Sequence, residues 1–138
     1  MSISVEDYIA IQRLMYAYAH CADHKDYAGF ADVFCEDAVF GYRGEPVTPL
    51  AAIQDMMLAL EKYSRTLHQV TNVFYEVEGD SAQGETYCLA SHIFEDAGLE
   101  MKIDMGIVYN DALRRLPQGW RILNRQFTLL WSQTTQVD

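Results

Sequence analysis

The sequence predicts an α+β domain in which three helices in the N-terminal half are followed by a curved antiparallel sheet of four to five strands. Three observations carry this. Apolar residues recur at helical spacing over residues 4–22 and again over 48–60; four runs rich in β-branched, aromatic and aliphatic residues follow from Thr66 onward; and each of those runs ends in a turn rich in Gly, Asp or Pro.

The first helix is expected over 4–22. Val5, Tyr8, Ile9, Met15, Tyr16, Ala19 and Ala22 form one apolar stripe, and Ile11, Leu14, Tyr18 and Cys21 form a second beside it, so most of the circumference is covered. Ser4 is the expected N-cap, with Asp7 three residues on in a capping-box-like start. The polar run His20, Asp23, His24, Lys25, Asp26 breaks the pattern. Asp26 can cap a short second helix through Ala28, Phe30, Ala31 and Phe34, so two helices should meet at a tight corner. Asp23 is out of place there, because a carboxylate at a helix C-terminus opposes the dipole by a few tenths to about 1 kcal/mol. On local rules alone it caps or solvates the corner. A short strand at Val39–Tyr42 leads into the loop RGEPVTP, and Thr48 followed by Pro49 then marks a third helix, with Leu50, Ile53, Met57 and Leu60 on its buried face.

From Thr66 the strands are expected at 66–77, 82–94, 99–110 and 120–131, paired in sequence order. Met101, Ile103, Met105, Ile107 and Tyr109 make one face of the third run apolar, while Gly106 and Val108 make the other partly so. A sheet apolar on both faces needs helices over one and a second cover over the other, which predicts a homodimer or homotrimer through the outer face. Two polar residues break these runs. His68 heads the strand TLHQVTNVFYEV and must lie at an edge or face a space that will hydrogen-bond it. Arg125 shares parity with Leu123, Phe127, Leu129 and Trp131, so it is either internally paired, drawn to the rim, or a cation facing a cavity.

A chain of 138 residues, half of them apolar, suits one domain spanning 1–138. A formal charge of -10 opposes sequence-independent binding to nucleic acid or to anionic membranes, which need clustered cations. Cys21, Cys35 and Cys88 are odd in number and lie among apolar neighbours, which favours buried free thiols. With no leader-like start and no run approaching a membrane span, a cytoplasmic protein is expected. No metal site is expected; His20 and His24 are assigned to solvent, and Asp104 to a rim or interface.

The segments IQRLMYAYAHCADHKDY, LHQVTN and GWRILNR together resemble the SnoaL-like branch of the nuclear-transport-factor-2-like superfamily, over essentially the whole chain. The resemblance implies a cone-shaped fold opening into a deep apolar cavity. It extends to that group's cofactor-independent lyases: scytalone dehydratase, lindane dehydrochlorinase and bile-acid 7α-dehydratase. On that likeness Asp23 and His68 are a catalytic dyad, Tyr18 falls at a catalytic tyrosine or lysine position, and Arg125 at a cavity arginine; His92 is the counterpart of a second histidine. Tyr8, Met57, His92 and Phe127 are expected to contact the substrate.

The expected function is therefore a cofactor-free lyase, dehydratase or dehydrohalogenase in type, that takes a carbon-bound proton from a small hydrophobic cyclic or aromatic molecule. An isomerase or C–C lyase in the same cavity is an alternative. So is a carrier of hydrophobic ligands without chemistry, or a structural subunit like the small subunits of ring-hydroxylating dioxygenases, although the latter has no use for a buried His and Asp pair.

Overall fold

The computed structural model describes residues 3–42 and 44–138; Met1, Ser2 and Arg43, the last being the first residue of the expected loop, lie outside them. The chain runs α1 (Val5–Asp23), a 3-10 turn (Ala28–Asp32), β1 (Phe34–Tyr42), β2 (Glu45–Val47), α2 (Leu50–Met57), a second 3-10 turn (Leu58–Lys62), then β3 (Arg65–Glu78), β4 (Ser81–Asp96), β5 (Leu99–Leu116) and β6 (Gly119–Gln136).

Ser4 caps α1 as expected, its Oγ accepting from the Asp7 N–H at 3.1 Å, and Glu6 and Asp7 place negative charge at the positive end of the helix. The buried stripe is Ile11, Leu14, Met15, Tyr18 and Ala22, with Ala19 and Cys21 beside it. The helix closes in a Schellman turn. The Asp26 N–H donates to Cys21 O and the Lys25 N–H to Ala22 O, with Lys25 left-handed at φ 52°. A non-glycine residue there costs about 1–2 kcal/mol, and Lys25 is held by donating from Nζ to Tyr63 O at 2.7 Å. This turn fixes the end of α1 that carries Asp23.

The expected second helix is a five-residue 3-10 turn, so the described residues hold two α-helices rather than three. Asp26 does accept from the Gly29 N–H at 3.0 Å, but a strand begins only two residues after the turn ends. A side chain at Gly29 would run into the Asp26 carboxylate and Cys21 Sγ, so the turn needs glycine at this position. Before α2, Thr48 does not cap: its hydroxyl donates to Ala38 O at 2.7 Å, and Pro49 takes the N-cap position.

The sheet has six strands in the order β2-β1-β6-β5-β4-β3. The meander β3 to β6 is antiparallel as expected, but β1 pairs with β6 in parallel, so the sheet is mixed. The pairing of β1 is set by the apolar Phe34, Ala38 and Phe40, which bury against the helices from the far side of β6. Register shifts at Val70/Val73, Gly106/Ile107 and Ala112/Leu113 are bulges that bend the long strands over α1. They also reset parity on β6. Arg125 and Phe127 face inward opposite Asp111 and Tyr109, whereas Trp131 pairs with Gly106 and turns outward, contrary to the simple alternation expected for this strand. The Trp131 indole occupies the space a side chain at Gly106 would need.

The core lies between α1, α2 and the inner face, around Ile11, Met15, Phe30, Phe34, Ile53 and Ile122. Burying each such side chain contributes about 1.5–3 kcal/mol. The outer face exposes Leu67, Phe74, Tyr87, Leu89 and Trp131. No described helix is long and apolar enough to cross a membrane.

Candidate active site

Toward one end of the inner face the core does not close. A cavity of about 160 Å³ is left between Tyr18 and Ala22 of α1, Met56 and Met57 of α2, the Leu58–Lys62 turn with Tyr63 after it, and the inner faces of the strands. The strands contribute His68 from β3, His92 from β4, Met105, Ile107 and Tyr109 from β5, Phe127 from β6, and Phe40 and Tyr42 from β1.

His68 and Asp23 meet at the wall. His68 Nδ1 lies 2.7 Å from Asp23 Oδ1; the His68 backbone N–H donates to Oδ2 at 3.0 Å; and Thr66 Oγ1 donates to Oδ1 at 2.9 Å. The His68 side chain is 6% exposed and that of Asp23 19%. Burial alone would push the Asp23 carboxyl up, but the hydrogen bonds from His68 and Thr66 outweigh it and hold the carboxyl below its ordinary value. An ionised carboxylate only accepts, so Nδ1 carries the proton and the free lone pair of neutral His68 is on Nε2. Asp23 stands behind the imidazole and does not itself line the cavity.

His92 faces the same space. Its ring lies 5.3 Å from that of His68 and 4.5 Å from that of Tyr63, and neither ring nitrogen has a hydrogen-bond partner among the described residues. Burial, helped by the nearby His68, lowers its pKa to about 4, so it stands as a neutral imidazole with one donor and one acceptor unused. Tyr18 and Tyr109 pack edge to face, 5.5 Å between ring centroids, and line the wall, and burial raises both phenols, keeping them protonated.

Of the places open to Arg125, the structure shows the internally paired one and not the cavity position that the family likeness implies. It is fully buried behind Tyr18 and Tyr109, its guanidinium 4.4 and 4.0 Å from their ring centroids, and it does not line the cavity. Nε and Nη2 donate to the two oxygens of Asp111 at 2.8 and 2.7 Å, and Asp111 also accepts from Tyr75 OH at 2.5 Å. Asp111 sits directly across the ladder from Arg125 and was missed as its partner. A lone carboxylate in the inward register of an apolar strand was the available signal.

Of the residues expected to contact substrate, Met57, His92 and Phe127 line the cavity and Tyr8 does not. Tyr8 is 42% exposed near the start of α1. At 1.5 Å per residue it lies about 15 Å along the axis from Tyr18, beyond the reach of its own side chain. Thr66, Tyr63, Lys62 and Tyr109 are site residues that the sequence reading did not single out.

His20 and His24 are exposed, four residues apart on α1, and stacked at 4.0 Å between centroids. That spacing can chelate a cation, but no group of three or more metal-binding side chains occurs among the described residues. Asp104 accepts from Ser91 Oγ at 2.6 Å and pairs with Lys102 on the outer face, away from the cavity.

The fold is shared with a nuclear-transport-factor-2-like protein of Novosphingobium aromaticivorans, which superposes with a TM-score of 0.74 at 24% identity over 91% of this chain and 83% of that one. Residues 4–126 match the SnoaL-like domain family, and the chain belongs to it. An uncharacterized protein of Mycobacterium tuberculosis is 26% identical over 129 residues, covering 88% of this chain and 84% of its own. Among solved structures, a candidate aromatic ring hydroxylase of Novosphingobium aromaticivorans superposes with a TM-score of 0.86 at 29% identity, covering 99% of this chain and 96% of that one. Two others share the fold. A candidate scytalone dehydratase of the same organism has TM-score 0.81 and 20% identity over 97% and 89% of the two chains. The hexachlorocyclohexane dehydrochlorinase of Novosphingobium barchaimii has TM-score 0.83 and 17% identity over 95% and 91%.

Proposed function

We propose that the chain is a lyase that removes a carbon-bound proton from a small hydrophobic cyclic or aromatic substrate, using His68 as general base and Asp23 to orient it. The observation that carries this is the bond of 2.7 Å between His68 Nδ1 and a carboxylate that is itself held by Thr66 and the His68 N–H. Such a carboxylate fixes the tautomer and stabilises the imidazolium formed as Nε2 takes the proton. The C–H electron pair becomes the new double bond, and a hydroxyl or halide leaves the neighbouring carbon with its own bonding pair. Tyr18 and His92 are the cavity donors placed to hydrogen-bond the departing group or a developing enolate oxygen, and a preorganised donor of this kind contributes roughly 3 kcal/mol. Arg125 acts at one remove, by holding the Tyr18 and Tyr109 rings between which it lies.

None of these steps calls for a coenzyme. Dehydration and dehydrohalogenation are the reactions that the names of two fold neighbours carry, and an aromatic substrate agrees with the name of a third. The test is a panel of scytalone, γ-hexachlorocyclohexane and cyclic β-hydroxyketones, followed by mass spectrometry for loss of water and by chloride release. His68→Ala should abolish turnover and Asp23→Asn should lower it by about 10²–10⁴, with the circular dichroism of the folded chain intact in both. Undiminished turnover in either variant refutes the dyad.

Self-association through the exposed Leu67, Phe74, Leu89 and Trp131 belongs to the same reading. Light scattering should give a multiple of 15.8 kDa, and a monomer at working concentration refutes it.

A further inference from the structure

The cavity wall is nearly free of permanent charge. Among its described lining residues there is no carboxylate and one ammonium, that of Lys62. The chain has 20 acidic against 10 basic side chains, and most of the basic ones are consumed in ion pairs. Lys25 pairs with Glu61, Arg65 with Glu100, Lys102 with Asp104, Arg114 with Asp37, Arg115 with Asp7 and Asp80, Arg121 with Asp32, and Arg125 with Asp111. Lys62 makes no ion pair among the described residues. Its neighbour Glu61 is taken by Lys25, and Glu95, which shares an adjoining groove with it, is not bonded to it.

Lys62 stands at the rim, in the last residue of the 3-10 turn, with Nζ 5.2 Å from the Tyr63 ring centroid. The Tyr63 ring packs on His92, and His92 on His68. The charge is felt inside, since Lys62 is among the groups that disfavour protonation of His92. From the mouth inward the order is thus an unpaired cation, an aromatic ring, an unsatisfied imidazole and the base.

We propose that the cavity selects substrates that carry an anionic group, a carboxylate in the simplest case, at the end of the apolar body remote from the scissile C–H, with Lys62 as the specificity-determining residue. This rests on the proton-abstraction reading only for which end of the substrate reacts. A lysine at the rim of a low-dielectric pouch attracts an anion more strongly than one in open solvent, and the long-range field of a chain of charge -10 would otherwise repel it. The remaining wall, methionine and aromatic, suits a flat ring system, and a dry cavity of about 150 Å³ is known to accept one benzene ring. A second ring would extend toward the mouth.

The experiment is a calorimetric titration at neutral pH with 2-naphthoate and with 2-naphthalenemethanol, which share a body and differ in charge. The wild-type chain should bind naphthoate about tenfold tighter, and added salt should narrow the gap. Lys62→Met, which keeps the stem against Tyr63, should abolish the preference by weakening naphthoate alone, and Lys62→Arg should retain it. Equal affinities in the wild-type chain, a preference that survives Lys62→Met, or equal weakening of both ligands by that variant overturns the proposal. The same titrations on His68→Ala separate the two readings. The charge preference is expected to persist there, so a failure of Lys62 shows in binding and a failure of the dyad shows only in turnover.

Discussion

Asp23, part-buried, and Asp111, fully buried, each hold a basic side chain on the inner face of the sheet, and the two pairs serve opposite ends. Asp111 and Arg125 have side chains wholly out of solvent, share two direct bonds, and lie behind a wall of tyrosine rings. Arginine does not lose its proton in proteins, so this pair is a fixed dipole that ties β5 to β6 and supports the aromatic wall. Asp23 holds a histidine, a side chain that can take up and release a proton, and that histidine borders empty space. Burial of an ion pair is therefore not in itself a mark of a reactive site. What separates them is whether the basic partner can give up its proton and whether its free nitrogen meets a cavity.

Breaking the fixed pair should have the largest effect. Arg125→Ala leaves Asp111 as an uncompensated buried carboxylate and should destabilise the fold by about 3–5 kcal/mol, read as a large drop in denaturant midpoint. Asp111→Asn should destabilise as well, because an amide still accepts from Arg125 but leaves its guanidinium buried without a counter-charge. If Arg125→Ala unfolds at the wild-type midpoint, the pair is not structural and the contrast with Asp23 fails.

Asp23→Asn should do the reverse. A neutral amide cannot stabilise an imidazolium and can present Nδ1 with a donor, which flips the tautomer, so turnover should fall by about 10²–10⁴ while stability falls far less than in Arg125→Ala. The pH dependence follows from the lowered Asp23 pKa. The unfolded chain takes up the proton first as pH falls, so the stability this carboxylate contributes is fully present above its unfolded value. It is lost as pH drops through the lower folded value, in the strongly acid range. Unfolding measured from neutral pH to pH 3 should therefore show the loss late, and Asp23→Asn should flatten it.

Much of this arrangement was legible in the sequence, and the gaps have physical causes. The helix over α1 and the meander β3 to β6 declare themselves through local periodicity and turn chemistry, which need no knowledge of the rest of the chain. The parallel partner of β1 does not, because no local signal in Phe34–Tyr42 names a strand more than 80 residues away. Asp23 looked like a misfit at the C-terminal turn and owed its pairing with His68 to the family resemblance, since local rules favoured a solvated corner. Arg125 was read by alternating parity across a strand that bulges at both ends of the relevant stretch, so Trp131 was placed on the wrong face and Asp111 was passed over. Tyr8 was chosen for its apolar character, and its height on the helix could not be judged without the cavity.

A smaller effect is expected from His92, which sits in the cavity without belonging to either pair. Its folded pKa of about 4 lies below the ordinary histidine value, so the unfolded chain binds the proton first. Stability should therefore fall as pH drops from about 6.5 toward 4, by on the order of 2 kcal/mol. His92→Phe should remove that slope while keeping the ring contact with Tyr63, and a slope unchanged in the variant would mean that another group titrates there.

The finest test concerns Thr66, whose hydroxyl donates to the carboxylate of the reactive pair. Its hydroxyl donates to Asp23 Oδ1, the same oxygen that His68 Nδ1 contacts, so it competes for the lone pairs that hold the imidazole and also keeps the carboxylate ionised. Thr66→Val preserves shape and β propensity and removes one hydrogen bond, a loss of about 1 kcal/mol. If Asp23 is a positioning group, the variant should raise the Asp23 pKa and lower kcat several-fold with KM unchanged, because the substrate never meets Thr66. A change confined to stability would instead make the threonine a strand residue that happens to face a carboxylate. Serine at the same position should restore kcat, since the hydroxyl and not the methyl is what Asp23 requires.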